Sequence, residues 1–150
     1  QGTSGQGGNI TLEAKNRISG LEIISLSSTG KAGDIQIHGF GDLSVANLSI
    51  LSALSSPFTY PFTSQSGRII FTSTGNLTLN NSRIASTTVG SNPADDITIT
   101  SAGTTTLNNS FITSQTSGAG DGADITVTAQ SLNLLQGSQI ATSTSGSGQA

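Results

Sequence analysis

One pattern restricts this chain more than any other: a short pair of apolar residues, spaced by two, returns at long and nearly constant intervals. The pairs open at Ile10, Ile35, Ile69, Ile97 and Ile125, which lie 25, 34, 28 and 28 positions apart. From each leading Ile the apolar positions continue at offsets +2, +8, +10 and +15. They read Ile35, Ile37, Leu43, Val45, Ile50 in one copy and Ile69, Ile84 with Phe71, Leu77 and Leu79 in the next. A third copy is Ile97, Ile99, Thr105, Leu107, Ile112, and a fourth is Ile125, Val127, Asn133, Leu135, Ile140. Spacing by two means strand, because side chains at i and i+2 share a face. Between the pairs lie turn-forming stretches such as Thr74-Gly75-Asn76, Asn80-Asn81-Ser82 and Asn108-Asn109-Ser110. Each repeat therefore reads as three short strands and three corners.

A repeat of this kind cannot bury its apolar side alone; it needs an identical neighbour above and below. The expected fold is all-β, a single-stranded parallel β-helix of about five coils, each about 4.8 Å from the next. Matching side chains then stack: Leu79 with Leu107 and Leu135, Ile84 with Ile112 and Ile140, Ser82 with Ser110 and Ser138, Gly90 with Gly118 and Gly146. Asn133 breaks the apolar rule, and its neighbours Leu132 and Leu134 indicate a one-residue slip or bulge. The first copy loses its register after Ile18, where Leu21, Ile23, Ile24 and Leu26 allow several alignments. Both ends fall within the pattern, so residues 1–150 are expected to be one β-helix segment of a longer array.

Composition agrees with a narrow core. Hydrophobic residues are 33% of the chain and charged residues 9%, while 25 serines, 21 threonines and 19 glycines supply small and hydroxylated positions. Net charge is −3, so no field attracts phosphate, and nucleic-acid binding is not expected. One His and no Cys leave no zinc finger, iron–sulfur or thiol chemistry. No apolar run approaches the roughly 18 residues of a membrane helix, so the chain is not expected to span a membrane in that way.

The combination Gly33-Asp34-Ile35-x-Ile37, Leu-x-Leu pairs, Asn-Asn-Ser-x-Ile and a Ser/Thr/Gly tail resembles the repeat region of filamentous-haemagglutinin-like exoproteins. These are the secreted partners of two-partner secretion systems in Gram-negative bacteria. The resemblance runs over about residues 8–150. It implies a right-handed β-helical shaft that crosses the outer membrane through a dedicated transporter. The shaft would then be displayed on the cell surface or released, with a role in adhesion, aggregation or biofilm formation. A surface glycan or protein receptor is the implied partner. The alternative is a carbohydrate-interacting solenoid, part of a polysaccharide-active enzyme whose site lies outside this segment.

Candidate chemistry is sparse. Asn9, Asp34, Arg68, Asp96 and Asp124 precede the leading Ile residues. Stacked carboxylates suit Ca²⁺, and Asp95, Asp96, Asp121 and Asp124 are the candidate ligands. The competing and favoured reading is that these side chains cap turns by accepting backbone N–H bonds, and no cofactor or metal is expected. His38 aligns with Glu13, Thr72, Thr100 and Thr128 and is within reach of pairing with Glu13 one coil below, but a solvated surface residue is the favoured reading; no nucleophile accompanies it, and the segment is not expected to be an enzyme. Thr98, Thr100, Thr126 and Thr128 form an outward hydroxyl ladder that suits ordered water, although only two copies carry it. Finally, the 34-residue interval holds an insertion at residues 55–66 with two prolines, which should leave the coil as a loop. Its Phe58, Tyr60 and Phe62 are the candidate contacts for sugar or protein, but the favoured reading is that they fold back over one face of the solenoid.

Overall fold

The structure, a computed structural model, describes residues 7–27, 30–54 and 65–149. Those residues contain strands and no helix. The first coil holds β1 (Ile10–Ala14), β2 (Arg17–Ser19) and β3 (Glu22–Ser27). The second holds β4 (Ile35–Gly39), β5 (Leu43–Ala46) and β6 (Ser49–Leu54), and the third β7 (Ile69–Ser73), β8 (Leu77–Asn80) and β9 (Arg83–Val89). The fourth has β10 (Ile97–Ser101), β11 (Thr104–Asn108) and β12 (Phe111–Ser117). The fifth has β13 (Ile125–Thr128), β14 (Ser131–Leu135) and β15 (Gln139–Ser145). Every strand pairs in parallel with its counterpart one coil away, which makes three five-stranded sheets: β1-β4-β7-β10-β13, β2-β5-β8-β11-β14 and β3-β6-β9-β12-β15. The chain is a parallel β-solenoid.

The inward columns follow the sequence offsets. Ile10, Ile35, Ile69, Ile97 and Ile125 stand in one column, and Leu12, Ile37, Phe71, Ile99 and Val127 in the next. Ile23, Ile50, Ile84, Ile112 and Ile140 form a third. In the middle coils these side chains are fully buried. The rest of the interior is hydroxylated. Ser52, Ser86, Ser114, Thr88 and Thr116 are buried in the third sheet; Ser86 bonds Ser66 and Thr88 bonds Thr116 through their hydroxyls, and the other three serve the backbone of the closing corner. Gly67 N–H donates to Ser52 Oγ (2.8 Å), Ala123 N–H to Ser114 Oγ (3.2 Å), and Thr116 Oγ1 donates to Asp121 O (2.9 Å). This explains how a chain with few hydrophobic residues closes an interior: an apolar column forms most of the core, and buried Ser and Thr hydroxyls, nearly all hydrogen-bonded, fill much of the rest.

The second corner turns through a single left-handed residue in the first four coils and through two, Gln136 and Gly137, in the fifth. Gly20, Asn47, Asn81, Asn109 and Gln136 have φ of 62°, 52°, 46°, 47° and 51°. Asn tolerates this conformation better than other side-chain-bearing residues, which is why the Asn doublets fall here. The amides also bond up the stack, Asn109 Nδ2 to Asn81 Oδ1 at 2.8 Å and Asn108 Nδ2 to Asn80 Oδ1 at 3.2 Å. Beneath them Ser82 and Ser110 repeat one device: Leu48 N–H donates to Ser82 Oγ, and Ser82 N–H to Ser110 Oγ.

Two registers need correction. Leu134, and not Leu135, stacks on Leu107, while Leu132 takes the place over Thr105 and Asn133 faces outward beside Thr106. The slip is one residue, recovered at the Gln136-Gly137 corner before Gln139 pairs with Phe111. Its cause is the amide of Asn133, which the unslipped register would bury on Thr105. Its cost falls on Asn108, whose Oδ1 is buried without a hydrogen-bond partner because Leu135 offers no donor. In the first coil, Ile18 joins the Val45–Leu79–Leu107 column rather than the Leu43 column. The corner between β1 and β2 is two residues shorter than its equivalents, so Ile23 aligns with Ile50, and Ile24 and Leu26 face solvent.

Candidate functional site

The acidic column sits at the corner that joins one coil to the next. Asp34 N–H donates to Asn9 Oδ1, Arg68 N–H to Asp34 Oδ1, and Asp124 N–H to Asp96 Oδ1, all at 3.0–3.1 Å. The side chains therefore cap backbone, but that of the next coil rather than of their own turn. Arg68 reverses its side chain onto Asp34 Oδ2 through Nε (3.3 Å) and Nη2 (2.9 Å). Burial works to raise the Asp34 carboxyl, but the Arg68 hydrogen bonds and the charges of Arg68 and Lys31 hold it below the usual carboxylate range. Bonding to Asp34 raises the Arg68 guanidinium in turn.

Of the four carboxylates considered for Ca²⁺, three are engaged separately, and Asp124 takes part through its N–H. Asp96 accepts from Asp124 N–H, Asp121 Oδ1 accepts from Gln149 N–H (2.8 Å), and Asp95 Oδ1 accepts from Asp96 N–H (3.2 Å). Asp95 Oδ2 makes an ion pair with Lys31 Nζ at 2.5 Å, at an angle outside hydrogen-bond geometry. Lys31 lies two coils away from Asp95, so this pair clamps across the intervening coil. Among the described residues no three His, Asp or Glu side chains come together as metal ligands would.

On the outward face of the first sheet, His38 has Glu13 below it and Thr72 above. Its Nδ1 hydrogen-bonds Thr72 Oγ1 (2.6 Å) rather than Glu13, and its ring meets Phe40 edge to face, centroids 4.5 Å apart at 81°. Thr98 aligns with Thr126 and Thr100 with Thr128; below them the same rows hold Ile70 and Thr72, then Gln36 and His38. The uniform hydroxyl array is two coils tall. Phe58, Tyr60 and Phe62 lie outside the described residues, as do the extra positions of the long second coil, which fall between Leu54 and Gln65.

Two open grooves follow the corners. At the first corner, Asn16, Phe40, Asp42, Ser44, Asn76 and Thr78 line a groove of about 540 Å³. At the second, Asn47, Asn81, Arg83, Asn109 and Phe111 line one of about 400 Å³. Sequence reading missed Phe40. The available signal was an aromatic between Gly39 and Gly41, in a turn where the next coils carry Thr74 and Ala102. Comparison with known proteins finds no matching protein family, curated protein or solved structure.

Proposed function

We propose that this chain is a rigid β-helical shaft of a bacterial exoprotein of the filamentous-haemagglutinin-like kind, secreted or displayed at the outer-membrane surface. In this reading it is an adhesin element without catalytic activity, delivered by an outer-membrane transporter, and it holds a receptor-contacting part away from the cell. The observation that supports it most is the parallel stack: three five-stranded sheets continue through all five coils. Freedom from Cys suits passage through an oxidising compartment without disulfide errors. A second reading, a carbohydrate-interacting solenoid within a polysaccharide-active enzyme, draws on the open grooves at the first two corners.

The shaft reading has a direct test. Four added copies of residues 69–96 should lengthen the particle by roughly 19 Å in solution scattering, at about 4.8 Å per coil. The protein expressed with its flanking sequence in a Gram-negative host should be cleaved by protease added outside the cell. A particle that swells without lengthening, or a chain protected inside intact cells, overturns the proposal.

A further inference from the structure

We propose that the groove at the first corner of the second coil is a binding subsite for an uncharged hexose unit of a glycan. The inference deepens the carbohydrate reading and leaves the shaft reading independent of it.

Phe40 is the first reason. Half of this side chain is exposed, 50% by area, in a column whose next members are Thr74 and Ala102. The fold does not need an aromatic there. The backbone that presents the ring is nevertheless fixed, and one aromatic neighbour touches the ring. Phe40 N–H donates to Ala14 O (3.0 Å), Gly41 N–H donates to Thr74 Oγ1 (2.6 Å), and the His38 ring abuts it edge to face. Gly41 has φ 91°, which a residue with a side chain rarely adopts, so the turn that presents the ring is specified. A half-exposed aromatic on a fixed turn offers an apolar face to the C–H side of a pyranose.

The second reason is the polar lining. Asp42 spends Oδ1 on Asn76 N–H (2.7 Å), and Asn76 spends Oδ1 on Thr104 N–H (2.8 Å). Asp42 Oδ2, Asn76 Nδ2 and the side chains of Asn16, Ser44 and Thr78 have no partner among the described residues. Ser44 and Thr78 are adjacent on paired strands, so their hydroxyls form a row along the floor. The free set contains a carboxylate acceptor, amide donors and hydroxyls that do both. Sugar hydroxyls also donate and accept, and match such a mixture. Asp42 and the net charge of −3 disfavour an acidic sugar. A groove of about 540 Å³ falls within the range of small-ligand sites. At the second corner the Asn81 and Asn109 amides already bond to each other, which leaves that groove a weaker case.

The test is a titration of the isotopically labelled 150-residue chain, followed by amide resonances, with maltotriose, cellotriose and mannotriose, and with trigalacturonate as the anionic comparison. At least one neutral trisaccharide should shift the Asn16, Asp42 and Asn76 amides saturably. Phe40→Ala should weaken that binding by about tenfold or more, and Phe111→Ala should leave it unchanged. Thr78→Lys, an outward change that fills the groove, should abolish it and guards against misfolding of the first variant. No saturable shift with any neutral sugar up to about 50 mM, a range that covers weak millimolar sites, overturns the proposal. So does binding indifferent to both groove variants, or a preference for trigalacturonate. None of these results changes the particle length or surface location on which the shaft reading is judged.

Discussion

Leu79 and Leu134 belong to the same inward column, yet truncating them should have very different effects. Leu79 is fully buried, with Val45 below and Leu107 above. Leu79→Ala removes three carbons, worth about 2.4 kcal/mol at about 0.8 kcal/mol per methylene. The cavity is closed by coils on both sides, which brings the loss to about 3–4 kcal/mol. In this 150-residue chain, Leu134 has a neighbour on one side only and is 46% exposed. Leu134→Ala loses about half the transfer energy and encloses no cavity, so its cost should be about 1 kcal/mol. Urea unfolding of the two variants measures the difference, and amide exchange shows where it acts. Leu79→Ala should expose amides in the second to fourth coils, whereas Leu134→Ala should affect the fifth alone. Equal costs, or a larger cost for Leu134→Ala, would refute the claim that stability resides in the doubly covered aliphatic column.

Four further outcomes are expected. Ser110→Ala removes the acceptor for Ser82 N–H in a buried setting and should destabilise the chain by about 1–3 kcal/mol in thermal unfolding. Gly118→Ala should cost more than about 2 kcal/mol, because φ is 139° and a Cβ would lie 2.3 Å from Gly90 O; Gly20→Asn should be neutral or mildly stabilising, since its Cβ meets open space at the same left-handed corner that Asn fills elsewhere. Asp34 has a lowered folded pKa, so its contribution is present above the unfolded value of 3.8 and is lost as pH falls through the folded value; the stability gap between the parent and Asp34→Asn, followed by urea midpoints from pH 6 to about pH 2, should therefore close on the acid side.

Much of this fold was legible because its signal is redundant. Ile35, Ile69, Ile97 and Ile125 each carry a second apolar residue two positions on, so one register satisfies every pair. The β14 slip was only half legible. In Leu132-Asn133-Leu134-Leu135 either alignment places a Leu over Leu107, and the choice depends on where the Asn133 amide ends up. The first coil was ambiguous because two missing corner residues move Ile18 between columns without changing its type. The acidic column was read as capping, but Lys31–Asp95 was not, since a contact across two coils has no fixed spacing in sequence. The groove at Phe40 was invisible for a similar reason: Asn16, Asp42 and Asn76 come from three coils and meet only once the stack exists.

The glycine contacts at the seam have a consequence for how such a chain changes over generations. Gly90, Gly118 and Gly146 lie so close that no methyl fits between one and the next, and the same 28-residue step carries every strand between the third and fourth coils. A gene copying error that duplicates or drops one whole step keeps this seam intact, whereas one that adds a residue or two must break it or be absorbed at a corner. Length can thus drift in whole coils while the cross-section stays frozen, and natural variants should differ by complete turns of the backbone.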